Sequence, residues 1–326
     1  MKNVIVPKFL TAAAFAAVAM TGFISSSAMA AWPEKPIEMV CATGAKSGAA
    51  NWCRLMSTIL SKELGTRVDV LFEGGGGGNT AAEMVANKPA DGYAWLHRNT
   101  SYAGYMNLPT FKPDPNQFEQ IAQMTKFLYV IGVPADSKYQ TFEDLIADMK
   151  ANPGKISVAA NKPGSAHHRH LINLFNAFDV KWNFVPYKGS GGAMKDVLGG
   201  HVPVGIIPTG IWTAQVEGGK GRSLLLLNET PYPGIDAPIP KDLGKDYKFT
   251  HQVQGFFVKK DTPEEIKDKI AAAFEAASKS QEYQDYLKNT VGALNVVSTD
   301  RAMLTKEFHD LRMETGEFLK KEGLIN

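Results

Sequence analysis

Cysteine is nearly absent: Cys41 and Cys53 are the only two among 326 residues. Two cysteines alone do not make a metal centre, and no Cys-x2-Cys pair stands at zinc-ligand spacing. They bracket one short loop. The sequence is compatible both with a disulfide closing that loop in an oxidising compartment and with two small buried side chains, since Cys53, Met56 and Leu60 share a helix face. An excess of charge of either sign is also missing. Lys and Arg number 35 against 33 Asp and Glu, and Lys2 and Lys8 fall in the first thirty residues. The remainder is balanced and has no basic block, so there is no electrostatic reason to bind nucleic acid or an anionic membrane. No Gly-x-Ser-x-Gly elbow, metal set or acid pair marks an enzyme, and no cofactor motif is complete. The run 74–78 is five glycines but lacks the Lys-Ser/Thr of a phosphate loop and the spacing of a dinucleotide fingerprint, so close backbone packing is its better explanation.

Long apolar runs are confined to the start. Two lysines precede the stretch 9–24, and Ala28-Met29-Ala30 supplies the small residues of a cleavage site, which reads as a secretory signal peptide over residues 1–30. No later run is long enough to span a bilayer. The expected product is a soluble exported protein beginning near Ala31. Its 300 or so residues suit two domains, and an apolar content of 44% excludes global disorder.

The stretch 37–64 sets the plan. A short apolar strand, 37–41, leads through the small residues Thr43, Gly44, Ala45, Ser47 and Gly48 into a helix carrying Trp52, Leu55, Met56, Ile59 and Leu60 at helical spacing. Such a turn presents backbone N–H groups at a helix N-terminus and can receive an anion. The stretch 155–178 repeats the logic: a strand, the turn Asn161-Lys162-Pro163-Gly164-Ser165, then a helix. Between and after them strands are expected at 67–72, 93–97, 127–133, 182–186, 202–208 and 223–227, with helices at 80–87, 141–151, 192–198 and 211–217. Residues 100–117 read as a long loop. A strand near 255–258 is followed by a helix start at Thr262-Pro263-Glu264, with Thr262 as the cap, and by helix to residue 324. Alternating strands and helices in two series predict two α/β lobes, each a mostly parallel sheet flanked by helices.

Five segments in order, WPEKPI at 32–37, GGNTAAEMVANKPADGY at 77–93, ANPGKISVAAN at 151–161, VPYKGSGGAMKDVLGGHV at 185–202 and DTPEEI at 261–266, resemble the periplasmic solute-binding proteins of tripartite tricarboxylate transporters, the Bug family. The likeness runs over nearly the whole mature chain. It implies a type II-like periplasmic-binding-protein clamshell with two crossing strands near 127–133 and 255–258. Lobe one would then be 31–130 plus 253–326 and lobe two 131–252. It also implies a ligand carboxylate held between the lobes by the two matching turns, Thr43 to Gly48 and Asn161 to Ser165, largely through backbone amides, without catalysis.

The departures from the family concentrate in the first turn, which is one residue longer; the customary Asp falls on Ala50 or Asn51, so a ligand amino group has lost its partner. A second acidic position falls among Ile207, Pro208 and Thr209. Lys46, Arg98 and His167-His168-Arg169-His170 add cationic capacity. Arg98, just past a buried-looking strand, suits a bidentate carboxylate contact, its competing role being an interlobe salt bridge. Lys46 suits a second carboxylate or a solvated loop. The three histidines lack a companion that would make a metal site; a first-turn histidine touching ligand, with a pH-sensitive affinity, fits them better. Of Trp52, Tyr102, Tyr105, Tyr187 and Trp212, one or two are expected to wall the pocket, Trp52 foremost. The candidate ligand-binding set is therefore Thr43, Gly44, Ala45, Lys46, Ser47, Asn51, Trp52, Arg98, Thr100, Asn161, Pro163, Gly164, Ser165, His167, Tyr187 and Thr209. The function implied is a monomeric periplasmic receptor that binds a small mono- or dicarboxylate, either a compact acid or an aromatic one, and hands it to a membrane permease. The rival is a sensor presenting its ligand to a receptor kinase.

Overall fold

The computed structural model describes Met1 and residues 32–45 and 47–326. Apart from Met1, the expected leader lies outside the described residues, as does Lys46. In chain order the elements are β1 (Ile37–Cys41), α1 (Gly48–Leu64), β2 (Val68–Phe72), α2 (Asn79–Ala86), β3 (Ala94–Asn99), α3 (Ser101–Tyr105), β4 (Phe118–Phe127), β5 (Tyr129–Pro134), α4 (Phe142–Ala151), β6 (Ser157–Asn161) and α5 (Ala166–Ala177). There follow β7 (Asn183–Tyr187), α6 (Ser190–Leu198), β8 (Val204–Pro208), α7 (Thr209–Glu217), β9 (Gly221–Leu226), β10 (Gln252–Lys259), α8 (Glu264–Lys279), α9 (Gln281–Asn289), β11 (Ala293–Ser298) and α10 (Arg301–Lys321).

Two sheets divide these strands. The first runs β11-β4-β10-β3-β1-β2 and the second β7-β6-β8-β5-β9. Their parallel parts are β1 with β2 and β3, and β6 with β7 and β8. Strands at the two passages between sheets, β4, β5 and β10, enter antiparallel. Passage one is abrupt, with only Leu128 between β4 and β5. Passage two takes the chain from β9 through residues 227–251 to β10. Leu128 is fixed by two backbone hydrogen bonds: its N–H donates to the Gly292 carbonyl at 2.9 Å, and its carbonyl accepts from the Thr209 backbone N–H at 3.1 Å. The Thr209 hydroxyl reaches the Val291 carbonyl at 2.7 Å. Gly292, at φ +76°, leaves room for that hydroxyl, which would stand 2.0 Å from any Cβ there.

Helix α1 is bounded as its sequence suggests, by Ser47, whose hydroxyl accepts from Ala50 N–H, and by Gly65 in the left-handed region. It buries Trp52, Cys53, Met56, Ile59 and Leu60. Trp52 is therefore core and not a pocket wall. Fully buried, it stacks on Phe256 at 5.5 Å, and its indole N–H donates to Thr125 at 3.0 Å. Cys41 and Cys53 form a disulfide, with Cα atoms 6.7 Å apart. The bridge ties the end of β1 to α1 and closes the loop between them, limiting the conformations that loop can reach.

The structure adds elements that periodicity did not reveal. The expected loop 100–117 begins with α3, and β4 fills 118–127. Strand β11 interrupts the expected helical tail, and α8 starts one residue late, with Pro263 and not Thr262 at the cap. On the first sheet, Lys267 of α8 and Arg301 of α10 both pair with Glu119 of β4, at 2.7 and 2.9 Å, fastening the two helices to one strand.

Helix α5 carries the histidine run, and each ring finds a separate partner on the side of the second sheet. His167 Nδ1 accepts from the Asn161 amide at 2.9 Å while its ring meets Tyr129 edge-on at 4.4 Å. His168 stacks on Phe184 at 4.0 Å and accepts from Gly164 N–H at 3.2 Å. His170 donates to the Thr250 carbonyl at 3.2 Å and accepts from the Tyr247 hydroxyl at 2.7 Å. Burial disfavours the imidazolium, pushing His167 and His170 down to about 3 and His168 down to about 4. His97, in β3, is likewise pushed down to about 4 by burial. These rings are neutral at pH 7, so the expected cationic, pH-responsive cluster becomes a set of uncharged packing groups.

Acid lability follows. A histidine that titrates near 6.5 when unfolded and near 3–4 when folded leaves the unfolded chain holding more protons in between. Its contribution is then complete above pH 6.5 and falls as pH drops toward 4, by up to about 1.4 kcal/mol per pH unit for each ring. Melting temperature should drop steadily from pH 6.5 to 4.5, and His168→Phe, which keeps an aromatic ring against Phe184, should flatten the slope. A melting temperature constant across that window would contradict the assignment.

Candidate functional site

The carboxyl ends of β1, β2 and β3 face those of β6 and β7, the edge where parallel sheets present loops to ligands. Between them is a pocket of about 120 Å³ lined by Ala42, Thr43 and Gly44 after β1, Gly74 and Gly77 after β2, and Arg98, Asn99, Ser101 and Tyr105 from β3 and α3. The second lobe contributes Asn161 at the end of β6, Lys162 just after it and Lys188 after β7, and Gln252 stands at the start of β10. The volume is small against the ~300–1,000 Å³ of drug-sized ligand sites. It suits a compact molecule.

The charge of this lining is one-sided. It includes two lysines and an arginine, and no Asp or Glu. Arg98 is 6% exposed, and no carboxylate pairs with it among the described residues. Its Nη2 donates to the Gly77 carbonyl at 3.0 Å, and the guanidinium lies 4.3 Å from the Tyr102 ring centre and 5.7 Å from that of Tyr105. Its Nε is buried without a hydrogen-bond partner. Burial lowers the Arg98 pKa, with partial compensation from the two tyrosines, but a guanidinium remains the cation at neutral pH. Burial is also the main influence lowering the Lys162 pKa, followed by Arg98 and then Lys188.

The glycine run explains how Arg98 is seated. A Cβ on Gly78, whose φ is +89°, would stand 1.6 Å from Arg98 Nη1. Gly77 offers its carbonyl to the same group. Close backbone approach, expected from the sequence, thus serves a side chain twenty residues downstream.

Of the sequence-derived set, Thr43, Gly44, Arg98 and Asn161 line the pocket. Ala45 and Ser47 hold the neighbouring loop: the Ala45 carbonyl accepts from Arg54 at 2.7 Å, and the hydroxyls of Ser47 and Thr43 pair at 2.7 Å. Asn51 is exposed and accepts from Arg54 at 3.0 Å. Thr100 donates to the His251 carbonyl at 2.6 Å. Pro163, Gly164 and Ser165 lie outside the lining. A Cβ on Gly104 of α3 would be 2.3 Å from the Gly164 carbonyl, and the first N–H of α5, on Ala166, already donates to Ser101 Oγ at 3.0 Å. The N-terminus of α5 thus meets α3 of the first lobe and not the pocket. His167 sits behind Asn161, Tyr187 is tied to Asp196 at 2.6 Å, and Thr209 is spent on the turn before β11. Of the five aromatics, Tyr105 reaches the lining, Tyr102 backs Arg98, and Trp212 is buried beside Gly132 and Gly221.

Lys188, Ser101 and Gln252 also line the pocket and stand in none of the expected groups, while Lys162 belongs to the expected turn Asn161 to Ser165 without being singled out there. For the lysines the signal was available: each is the residue immediately after a parallel strand, a position equivalent to that of the first-lobe loops. Among the described residues, Cys41, Cys53 and His97 form the one His/Cys/Asp/Glu group close enough to hold a metal, and its two sulfurs are bonded to each other.

Comparison with known proteins agrees with this architecture. The family model described as tripartite tricarboxylate transporter family receptor matches residues 53–324. The UPF0065 protein in the gbd 5′ region of Cupriavidus necator is 30% identical over 282 residues, 85% of this chain and 84% of the relative. Among solved structures, the periplasmic binding protein BugD superposes with a TM-score of 0.78 at 26% identity, over 90% of this chain and 99% of BugD. Rhodopseudomonas palustris Rpa4515 with adipate gives 0.80 at 21% identity, over 90% and 98%. The two-lobe α/β fold, with its pocket at the facing strand ends, belongs to a chain of the tripartite tricarboxylate transporter receptor family, the Bug-type solute receptors.

Proposed function

We propose that this protein is a periplasmic receptor for a small organic carboxylate, bound in the pocket between the lobes and delivered to the membrane permease of a tripartite tricarboxylate-type transporter. Arg98 carries the reading: a buried guanidinium facing the pocket with no acidic partner is a group whose counter-ion comes from outside the chain. A carboxylate suits its fork geometry. Thr43, Gly44 and Asn161 supply further polar contacts, while the small residues Ala42, Gly74 and Gly77 keep the walls close. The adipate bound by Rpa4515 supports a carboxylate as the ligand class. The absence of an acidic lining residue disfavours ligands with an amino group.

In this reading the abrupt passage at Leu128 and the strand β10 act as the hinge. Closure brings Asn161 and Lys162 toward Arg98, and the α3–α5 contact is part of the closed state. Residues 1–30 act as the export signal, cleaved near Ala30. Binding, closing and release require no bond to be made or broken in the ligand.

Purified protein should melt higher in the presence of its carboxylate. At a ligand concentration of about a hundred times Kd the stabilisation is about 2.7 kcal/mol, or roughly 5 °C or more for a chain of this size. A wide panel of carboxylates that leaves the melting curve unmoved, alongside a shift with sugars or cationic amino acids, would contradict the proposal. Arg98→Gln should weaken carboxylate binding by about 2 kcal/mol or more, some thirtyfold in Kd. Gly78→Ala, which drives a methyl into the guanidinium, should weaken binding in the same direction; calorimetric titration of both variants reads the effect. Unchanged affinity in both would remove Arg98 from the site.

A further inference from the structure

Lys162 and Lys188 have no role in the fold that their contacts reveal. They follow two strands that are neighbours in the second sheet, and the last register pair of those strands is Asn161 with Tyr187. Each lysine is one residue beyond that pair, so the two emerge side by side at strand spacing, about 4.8 Å apart along the backbone. Among the described residues neither joins an ion pair, and both line a pocket that contains no Asp or Glu. Lys162 is half-buried and extends across to the first lobe. A Cβ built on Gly77 would lie 3.9 Å from its Nζ, and Gly77 is the residue whose carbonyl holds Arg98.

Three cations from two lobes therefore converge on one small volume. Like charges in a partly desolvated site repel more strongly than in water, and the Lys162 ammonium is disfavoured first by burial and then by Arg98 and Lys188. A single carboxylate on Arg98 leaves the lysine pair facing an already neutralised partner and still unpaired. An acid with a second negative group reaches both lobes.

Resting on the receptor reading above, we infer that Lys162 and Lys188 act with Arg98 as a charge-counting clamp: the pocket selects acids carrying at least two negative charges, one carboxylate meeting Arg98 and the other the lysine pair. Specificity for charge number is thus set by the second lobe, and it is the second carboxylate that offsets the repulsion opposing closure.

Calorimetric titration of the mature protein with matched acids tests this: butanoate against succinate, and pentanoate against glutarate, at low and at moderate salt. The diacid of each pair should bind about tenfold or more tightly than its monoacid, the worth of one additional charge contact. That ratio should shrink as salt rises, because the partly exposed lysines are screened. Lys188→Gln and Lys162→Gln should each lower the diacid affinity more than the monoacid affinity, collapsing the ratio severalfold. Lys188 is exposed, so its replacement leaves the core untouched, and the salt dependence of the unaltered protein is an independent readout. Equal affinities within a pair, or variants that weaken both acids alike, would overturn the clamp while leaving the carboxylate receptor standing. Failure of every acid to bind would overturn both.

Discussion

Holding a guanidinium away from water without a carboxylate beside it costs several kcal/mol, and the pocket is arranged around meeting that cost at Arg98. One carbonyl, from Gly77, and the faces of Tyr102 and Tyr105 meet part of it. Gly78 removes the side chain that would block the guanidinium, and β3, bonded to both β1 and β10, fixes the backbone from which the side chain departs. The unpartnered Nε marks what is left over. A bound anion would complete the set, which makes ligand binding and local electrostatic relief the same event.

The lobes meet through groups of a different kind. Apart from Arg169, which donates to Thr315 at 2.5 Å, the contacts of α5 across the lobe boundary are neutral: a backbone N–H on Ser101 and a close approach of Gly104 to the Gly164 carbonyl. The histidines behind it hold their positions as uncharged rings. Charged pairs stand at the passages themselves, Lys126 with Glu229 at 3.6 Å and Lys248 with Glu314 of α10 at 2.6 Å. The disulfide tethers the loop that carries Thr43 and Gly44 to the core helix α1.

Much of this was legible beforehand, and the exceptions share a cause. Strands β1, β3 and β6, and the helices after β1 and β6, are legible because apolar runs, small-residue turns and caps all agree. Strand β4 did not, because Gln120, Gln123 and Thr125 interrupt its apolar pattern; Thr125 is satisfied inside by Trp52 and Tyr283, a compensation that periodicity cannot display. Helix α3 is five residues long and held by its contacts with the opposite lobe. At the site, Arg98 was found from its place at a strand end. The same rule applied to the second series points to Lys188, and it singles out Lys162 within the turn Asn161 to Ser165. Trp52 misled because an aromatic in the first turn of a ligand-facing helix can point either way, and here the core took it. The helix N-terminus of α5 misled differently: its first donor was expected for ligand, but tertiary packing gave it to Ser101.

The most direct measurement is a crystal structure of the mature protein grown with a short diacid such as succinate. The account predicts one carboxylate within hydrogen-bonding distance of Arg98, and the ligand enclosed between the loops after β1 and β3 and the turn after β6. Density for the diacid at any other place, with Arg98 left facing only Gly77 and the two tyrosines, would contradict it.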